Sequence, residues 1–268
     1  MYHHVNPHKG DMVTVTPGVF DAQMKFLSET GYRTLSAGEL VEFADGNLAI
    51  PSPYPSPPRG EGRERGAVVV TFDDGYLDNY VYAFPVLKRY GIKAVIFLTA
   101  DWVEKASMVM NKGAISIPSH KEGKDLISGG RFHKVVMNWD MIREMQESKL
   151  VEFYSHTMTH RKCAELPEKE LRGELNDSKT ILEERLNRPC PYLCWPKGSY
   201  NESSVRIAKE SGYKALFTTE RDIVKHGSDR FCLGRIVVKD DIKWFKRKLL
   251  IYTNPLLSRL YVAVRGRT

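Results

Sequence analysis

The sequence of 268 residues contains no run of about 18 apolar residues, so it offers no segment that could cross a membrane as a helix. No apolar leader follows Met1 either, because the next residues are Tyr2, His3 and His4. As written, the sequence therefore predicts a cytoplasmic or membrane-peripheral protein. If the natural chain begins further upstream, we expect an extracytoplasmic one.

Cysteine is scarce, with four residues in the whole chain and no Cys-x-x-Cys pair among them. So few cysteines exclude a disulfide scaffold in a chain of this length, and their spacing argues against a structural zinc ribbon. We expect small buried thiols at the four positions, which are Cys163, Cys190, Cys194 and Cys232.

Acidic residues are absent from positions 243–268, where seven of the 40 basic residues lie. The other 33 basic residues balance the 33 acidic ones, so the net charge of +7 belongs to this tail. A neutral body argues against nucleic acid as a partner. The tail combines cations with large apolar residues at helical spacing. It fits either a terminal helix packed on residues 1–242 or a basic amphipathic segment lying on an anionic membrane.

The chain outside positions 50–66 alternates short apolar runs with amphipathic stretches. Segment 50–66 is rich in proline, glycine and charge, which predicts a solvated insertion loop, with a Pro-rich ligand for a partner domain as the alternative. The alternation predicts a parallel sheet in an α/β barrel-like domain over 1–242. The predicted strands are 67–72, 94–98, 150–154, 192–195, 215–218 and 233–238, and the predicted helices are 79–90, 138–148, 167–186 and 203–211.

Metal-ligand side chains follow two of the predicted strands, at the end where α/β sheets build their sites. Asp73 and Asp74 lie in the segment TFDDG, and His156 and His160 lie in SHTMTH. Histidines four positions apart share one face if the backbone is helical there, so both could reach one ion. Two histidines and one aspartate suit Zn²⁺, although Co²⁺, Ni²⁺ and Fe²⁺ accept the same donors.

Three segments, TFDDG, SHTMTH and WPKGSYN, together resemble the motifs of the polysaccharide deacetylases of carbohydrate esterase family 4, which share the NodB-type fold. The opening Tyr-His-His-Val, with Val15-Thr16-Pro17, Phe20 and Gly31-Tyr32, resembles the branch that deacetylates poly-β-1,6-N-acetylglucosamine. The resemblance covers about residues 2–238, apart from the insertion. It implies a deformed (β/α) barrel that hydrolyses N-acetyl groups on sugars with the help of a divalent metal.

The resemblance also implies a role for individual residues. Matched by position, Asp73 is the general base, and the backbone N–H of Tyr200 stabilises the oxyanion. The family's late Leu-x-x-His acid is missing, so the resemblance to the poly-N-acetylglucosamine branch assigns the general acid to His3. A polar residue at a frayed terminus is the alternative for His3. The metal ligands implied by the match are Asp74, His156 and His160.

The third motif departs from the Arg-x-Pro-Tyr pattern of many relatives, because this chain reads Cys194-Trp195-Pro196-Lys197. The arginine that orients the base is absent, and Arg235 either supplies that charge near Asp73 or is a surface residue. Pro196 and Trp195 are expected at the substrate site. The rings of Trp139 and Trp195 fit two alternatives equally, stacking on a sugar or packing in the core.

The prediction is a metal-dependent hydrolase that removes N-acetyl groups from N-acetylhexosamine units of a polysaccharide or glycan. Two alternatives stay open. The protein is a deformylase or deacetylase of a lipid-linked sugar, which a membrane-bound tail would suit, or it is a catalytically silent glycan-binding module. The expected partner is an N-acetylated glycan, with peripheral membrane contact through the basic tail as a further hypothesis.

Overall fold

The computed structural model describes residues 1–8, 11–49, 66–109 and 115–253. Two pairs of very short strands flank the main sheet, and the strands of each pair are parallel. The first pair joins β1 to β2 and the second joins β3 to β4. Their bounds are His4–Val5 for β1, Thr14–Val15 for β2, Arg33–Thr34 for β3 and Ala67–Val68 for β4.

The main sheet has five parallel strands that lie side by side in chain order. It is a curled half-barrel with helices around it, so the prediction of a deformed (β/α) barrel is confirmed. All five residues of the second strand are buried, as expected for a parallel strand covered on both faces. The strands are β5 (Val70–Phe72), β6 (Ala94–Leu98), β7 (Val151–Ser155), β8 (Tyr192–Cys194) and β9 (Ala215–Phe217).

Some of the helices that connect the strands begin or end at residues with clear capping roles. Asn138 accepts a hydrogen bond from the Met141 N–H at the start of one helix, and Gly91 ends another with a left-handed φ of 63°. The α-helices of the described ranges are α1 (Pro17–Glu29), α2 (Ala37–Ala44), α3 (Phe84–Tyr90), α4 (Ala100–Ser107), α5 (His120–Ser128), α6 (Trp139–Glu147), α7 (Glu168–Leu186), α8 (Glu202–Glu210) and α9 (Ile242–Thr253).

Three predicted elements differ from the structure. The apolar run 67–72 is two strands, because the chain changes partner after Val68, from β3 to β6. The predicted helix 79–90 opens with a wide turn in which the Phe84 N–H donates to the Asn79 carbonyl, since Pro85 next to it has no N–H to continue a regular ladder. The predicted strand 233–238 is limited to a single bridge between Leu233 and Phe217.

Helix α9 packs its apolar side against the domain. Phe245 is buried, and the ammonium of Lys246 lies 5.0 Å from the centre of the Phe26 ring of α1. The first half of the basic tail is therefore a packed helix, and within the described ranges no helix is long and apolar enough to span a membrane. Positions 254–268 of the tail and 50–65 of the insertion lie outside the described residues.

Candidate active site

Two adjacent carboxylates leave the carboxyl end of β5 and point to different partners. Asp74 has a left-handed φ of 72° and Gly75 one of 78°, so the chain turns sharply directly after Asp73. A Cβ on Gly75 would lie 2.6 Å from Leu98 Cδ2, which explains why only glycine fits here. The turn buries both carboxylates and gives each of them a separate environment.

Asp74 faces the two histidines that follow β7. Its Oδ1 lies 3.2 Å from His160 Nε2 and 3.5 Å from His156 Nε2. The expectation of a helical turn between the histidines is wrong, because Thr157 and His160 have φ values of 65° and 62°. This non-helical turn still brings both imidazoles to one carboxylate.

The protonation of His156 can be read from its contacts. Its Nδ1 lies 2.8 Å from the Cys194 carbonyl, which only accepts, so Nδ1 carries the proton and Nε2 presents a lone pair. Burial lowers the pKa of His156 to about 4, so the ring is neutral at neutral pH. Asp74 Oδ1 is buried and has no hydrogen-bond partner in the described part of the chain. Lone pairs that converge on a buried, unpaired carboxylate oxygen fit a bound cation.

Asp74 also lies close to a buried tyrosine, Tyr76. Burial raises the pKa of the Tyr76 hydroxyl, and the charge of Asp74 adds to this effect, so a protonated hydroxyl lies close to the Asp74 carboxylate. Burial raises the pKa of Asp74, but the two histidines outweigh that effect and leave it below its ordinary value. The carboxylate is therefore ionised, as a metal ligand needs to be.

A second set of donor atoms, from Asp73, His156 and Cys194, also lies close together. It fits a cation less well, because the guanidinium of Arg235 already lies against it. Arg235 Nη2 is 2.9 Å from Cys194 Sγ, and burial raises the pKa of the Cys194 thiol well above its usual value. A protonated thiol beside a positive charge is a poor ligand. The set formed by Asp74, His156 and His160 is therefore the one that fits a metal ion.

Arg235 forms a buried two-pronged ion pair with Asp73. Its Nη1 donates to Oδ1 at 2.6 Å and its Nη2 to Oδ2 at 2.8 Å, while Nε donates to the Thr218 carbonyl at 2.9 Å. Burial raises the pKa of Asp73, but the charge and hydrogen bonds of Arg235 lower it to about 2. The structure thus brings Arg235 to Asp73, and Arg235 is not a surface residue.

His3 lies at the open side of the same carboxylate. Its Nε2 is 3.9 Å from Asp73 Oδ2, and 22% of its side chain is exposed to solvent. Its backbone carbonyl accepts a hydrogen bond of 2.9 Å from Asn79 Nδ2, which ties this part of the chain down. His3 is thus an ordered residue at the mouth of the site, rather than one at a frayed terminus.

The segment after β8 holds the remaining predicted residues. Trp195 has 0% of its surface exposed and stacks on the partly buried Tyr200, so the expectation that its ring contacts the substrate is corrected. Trp139 is also buried, and its Nε1 donates to Glu104. Pro196 is buried and begins a tight turn. The Tyr200 hydroxyl hydrogen-bonds a glutamate, Glu220.

Sequence reasoning missed several residues that support the site. Cys194 contacts both Arg235 and Asp73, and the buried Tyr76 lies close enough to Asp74 for that carboxylate to raise the pKa of its hydroxyl. The position of Tyr76, two residues after Asp74 in a turn, is the only sequence signal that could have pointed to it. A further group, formed by His4, Asp78 and His120, lies directly beside Tyr76.

Comparison with known proteins adds independent findings. Residues 60–216 match the family model described as Polysaccharide deacetylase. YxkH of Bacillus subtilis (strain 168) is 28% identical over 238 residues, which cover 89% of this chain and 70% of that protein. Poly-beta-1,6-N-acetyl-D-glucosamine N-deacetylase of Escherichia coli (strain K12) is 23% identical over 284 residues, which cover 93% of this chain but only 38% of that protein.

A solved structure supports the same fold. The Streptococcus pyogenes deacetylase PplD in complex with acetate aligns with a TM-score of 0.73 and 23% identity. The alignment covers 95% of this chain and 96% of that one, so the similarity extends over the whole catalytic fold and not only over the motif segments.

Proposed function

Because the chain belongs to the polysaccharide deacetylase family of carbohydrate hydrolases, we propose that it removes N-acetyl groups from N-acetylhexosamine units of a glycan with the help of a divalent metal. The observation that carries the proposal is the convergence of His156 Nε2 and His160 Nε2 on the unpaired, buried Oδ1 of Asp74. Next to this cluster lies a second carboxylate, Asp73, which is not one of the three ligands and is paired with Arg235.

Asp74, His156 and His160 are the proposed metal ligands. Two imidazole nitrogens and one carboxylate oxygen favour Zn²⁺, and Co²⁺, Ni²⁺ or Fe²⁺ suit the same donors. When bound, such an ion supplies Lewis-acid polarisation of the acetyl carbonyl and lowers the pKa of water. The Nδ1–H of His156 donates to the Cys194 carbonyl, which holds this ligand in place.

Asp73 is the proposed general base. The two hydrogen bonds from Arg235 keep its carboxylate ionised and fix the direction of its oxygens. An ionised carboxylate beside the ligand cluster is able to take the proton of the attacking water as that water adds to the amide carbon. Arg235 would act as a positioning residue, because it touches Asp73 rather than the reacting atoms.

His3 is the proposed general acid. Its imidazole lies across from Asp73, at 3.9 Å from Oδ2, and is partly open to solvent. After the carbon–nitrogen bond breaks, the departing amine needs a proton, and a protonated imidazole at this place is able to donate it.

The backbone N–H of Tyr200 is the proposed oxyanion donor. It lies in the turn that begins at Pro196, where Lys197 and Gly198 have left-handed φ values of 58° and 63°. A Cβ on Gly198 would lie 2.0 Å from Thr219 Oγ1, so this turn packs tightly against the neighbouring segment. A rigid turn suits an oxyanion site, because its donor needs no rearrangement during the reaction.

The proposed substrate class is a glycan that contains β-1,6-linked N-acetylglucosamine. The Escherichia coli relative, a poly-β-1,6-N-acetylglucosamine N-deacetylase, supports this choice, as does the Tyr-His-His-Val opening of the sequence. Peripheral contact of the basic tail with a membrane stays a separate hypothesis.

The test is acetate release from β-1,6-linked N-acetylglucosamine oligomers by the purified protein, with and without added Zn²⁺ and after chelation. We expect acetate release that disappears on chelation and returns with metal. A parallel assay with N-formylated oligomers separates deacetylation from deformylation. Stoichiometric metal without any acyl release would contradict the proposal and favour a glycan-binding module.

A further inference from the structure

A chain of three side chains, Asp78, His4 and His120, runs from the interior of the domain to its surface. His4 Nδ1 lies 2.6 Å from Asp78 Oδ2, and His4 Nε2 lies 2.8 Å from His120 Nδ1. Asp78 and His4 are buried with 2% exposure each, whereas His120 is half-buried. None of these residues belongs to the proposed metal site or acts in the proposed mechanism.

The hydrogen bonds of Asp78 fix which atom donates and which accepts along these three side chains. Asp78 also accepts from Asn6 Nδ2 at 3.1 Å and from Asn79 Nδ2 at 2.9 Å, so it is a carboxylate surrounded by donors. Because a carboxylate only accepts, His4 Nδ1 carries a proton and donates it to Asp78. The opposite nitrogen of His4 is thereby left for His120.

His120 consequently has one ring nitrogen occupied and one available. Its Nδ1 is bonded to His4, and in the described part of the chain no residue is bonded to its Nε2. If His4 is neutral, Nε2 of His120 accepts a hydrogen bond. If His4 is protonated, Nε2 of His120 donates one. A hydroxyl group both donates and accepts, so it matches Nε2 in either state, whereas a carboxylate or an ammonium matches only one.

The hydrogen-bonded side chains Asp78, His4 and His120 are connected to the proposed active site through Tyr76. The Tyr76 ring stacks on His4 with 3.8 Å between ring centres, and Tyr76 lies two residues after Asp74 in the turn that follows β5. The His120 ring meets His4 edge-on with 4.8 Å between ring centres, and His4 follows His3, whose Nε2 lies 3.9 Å from Asp73 Oδ2, so His120 lies close to the proposed site. The rings of His4 and Tyr76 lie between His120 and Asp74, a proposed metal ligand.

The backbone around His120 is also held firmly. Ser119 and Glu122 form a capping box at the start of α5. The Pro118 carbonyl accepts a hydrogen bond from Asn6 Nδ2 at 2.8 Å, which ties this segment to the chain after β1. An imidazole that is fixed in position and orientation and is partly exposed is suited to bind a ligand at little entropic cost.

We propose that His120 is a substrate-contacting residue whose Nε2 hydrogen-bonds a sugar hydroxyl away from the acetamido group under attack. Asp78 and His4 are positioning residues that hold the imidazole of His120 in this place. The inference rests on the proposed function, since it names a contact to the glycan in the same site.

The experiment compares wild-type protein with His120→Ala and His120→Gln, with His226→Ala as the matched control. His226 is an exposed histidine that contacts Phe43, outside the proposed site. The probe is a β-1,6-linked N-acetylglucosamine pentamer. We expect His120→Ala to raise KM about 5- to 10-fold, the loss of one hydrogen bond, while kcat stays within about twofold. Bound metal and Tm stay at the wild-type values, and His120→Gln recovers part of the affinity.

Binding of the pentamer to metal-loaded Asp73→Asn protein, with and without His120→Ala, is measured by calorimetry and needs no turnover. Weaker binding without His120 supports the inference even if the wild type releases no acetate, in which case only the proposed function fails. Equal binding, or no binding by the parent protein, overturns the inference. A lower kcat at unchanged KM, or loss of metal, overturns it as well, because it assigns His120 a structural role.

Discussion

Replacing Arg235 with methionine tests the assignment of Asp73 most severely, because the side chain keeps much of its length and loses its charge. In the structure the guanidinium makes two bonds to Asp73 and one each to the Thr218 carbonyl and Cys194 Sγ. All of these groups are buried. The Arg235→Met substitution therefore leaves a buried carboxylate without a counter-charge.

The magnitude follows from the burial of this pair. Removing one partner of a buried ion pair costs about 3–5 kcal/mol, and in a domain of this size each kcal/mol lowers Tm by roughly 2–4 °C. We expect Tm to fall by about 10 °C. Burial then raises the pKa of Asp73, and the carboxylate loses its fixed direction. The loss of two charge-assisted hydrogen bonds that align the base predicts a drop in kcat/KM of about 100-fold.

The assays are thermal unfolding and acetate release at 25 °C, where the variant is expected to stay folded, as circular dichroism will show. Arg230→Met is the control, because Arg230 forms an exposed ion pair with Asp45 at 3.1 Å and its loss should cost less than about 1 kcal/mol. A kcat/KM of Arg235→Met within twofold of wild type would show that Arg235 does not position Asp73 as the base.

Two further predictions concern stability. Gly75→Ala should lower the free energy of unfolding by about 3 kcal/mol in urea titrations, because its φ is left-handed and its Cβ would meet Leu98. Gly18→Ala in the open first turn of α1 is the control and should change the free energy of unfolding by less than about 0.5 kcal/mol. Similar effects at both sites would contradict the predicted clash at Gly75. Burial raises the pKa of Glu39, but hydrogen bonds from Ser36 and Lys93 lower it to about 2, below its ordinary value of 4.5. The stability that Glu39 contributes is therefore fully present above pH 4.5 and lost as the pH falls toward 2, so Glu39→Gln should flatten acid unfolding in this window, whereas Glu29→Gln should not.

The sheet and the position of the site were predictable because their signals are local. The apolar run Ala94–Leu98 is a buried strand as predicted, and Gly91 ends the preceding helix. The carboxyl ends of parallel strands meet at one edge, so motifs separated by about 80 positions could be expected to converge. The family membership that the motifs indicated is confirmed by the match over residues 60–216.

The remaining features depend on contacts between distant parts of the chain. Arg235 and Asp73 are separated by 162 positions, and nothing near Arg235 in the sequence shows whether its guanidinium is buried or exposed. The run 67–72 is likewise divided into two strands because its first half pairs with β3 and its second half pairs with β6. The turn between His156 and His160 defeated a helical expectation because two non-glycine residues there adopt left-handed φ values.

The role of the cysteine in the third motif also required the structure. Cys194 stands where many relatives have the orienting arginine, and Arg235 reaches the same carboxylate from the segment after the Leu233 bridge, with its Nη2 against Cys194 Sγ. The small side chain of Cys194 leaves room for that guanidinium. A departure from the motif in one segment is thus accompanied by a charge from another segment.

The roles proposed for Asp73 and His156 are tested most directly by measuring bound metal and acetate release on the same preparations of wild type, Asp73→Asn and His156→Ala. We expect Asp73→Asn to keep one equivalent of metal and lose acetate release, because Asp73 is the proposed base and not a ligand. His156→Ala should lose both metal and activity, because its Nε2 faces Asp74 Oδ1. Full acetate release by Asp73→Asn would contradict its role as the base, and full metal binding by His156→Ala would contradict its role as a ligand.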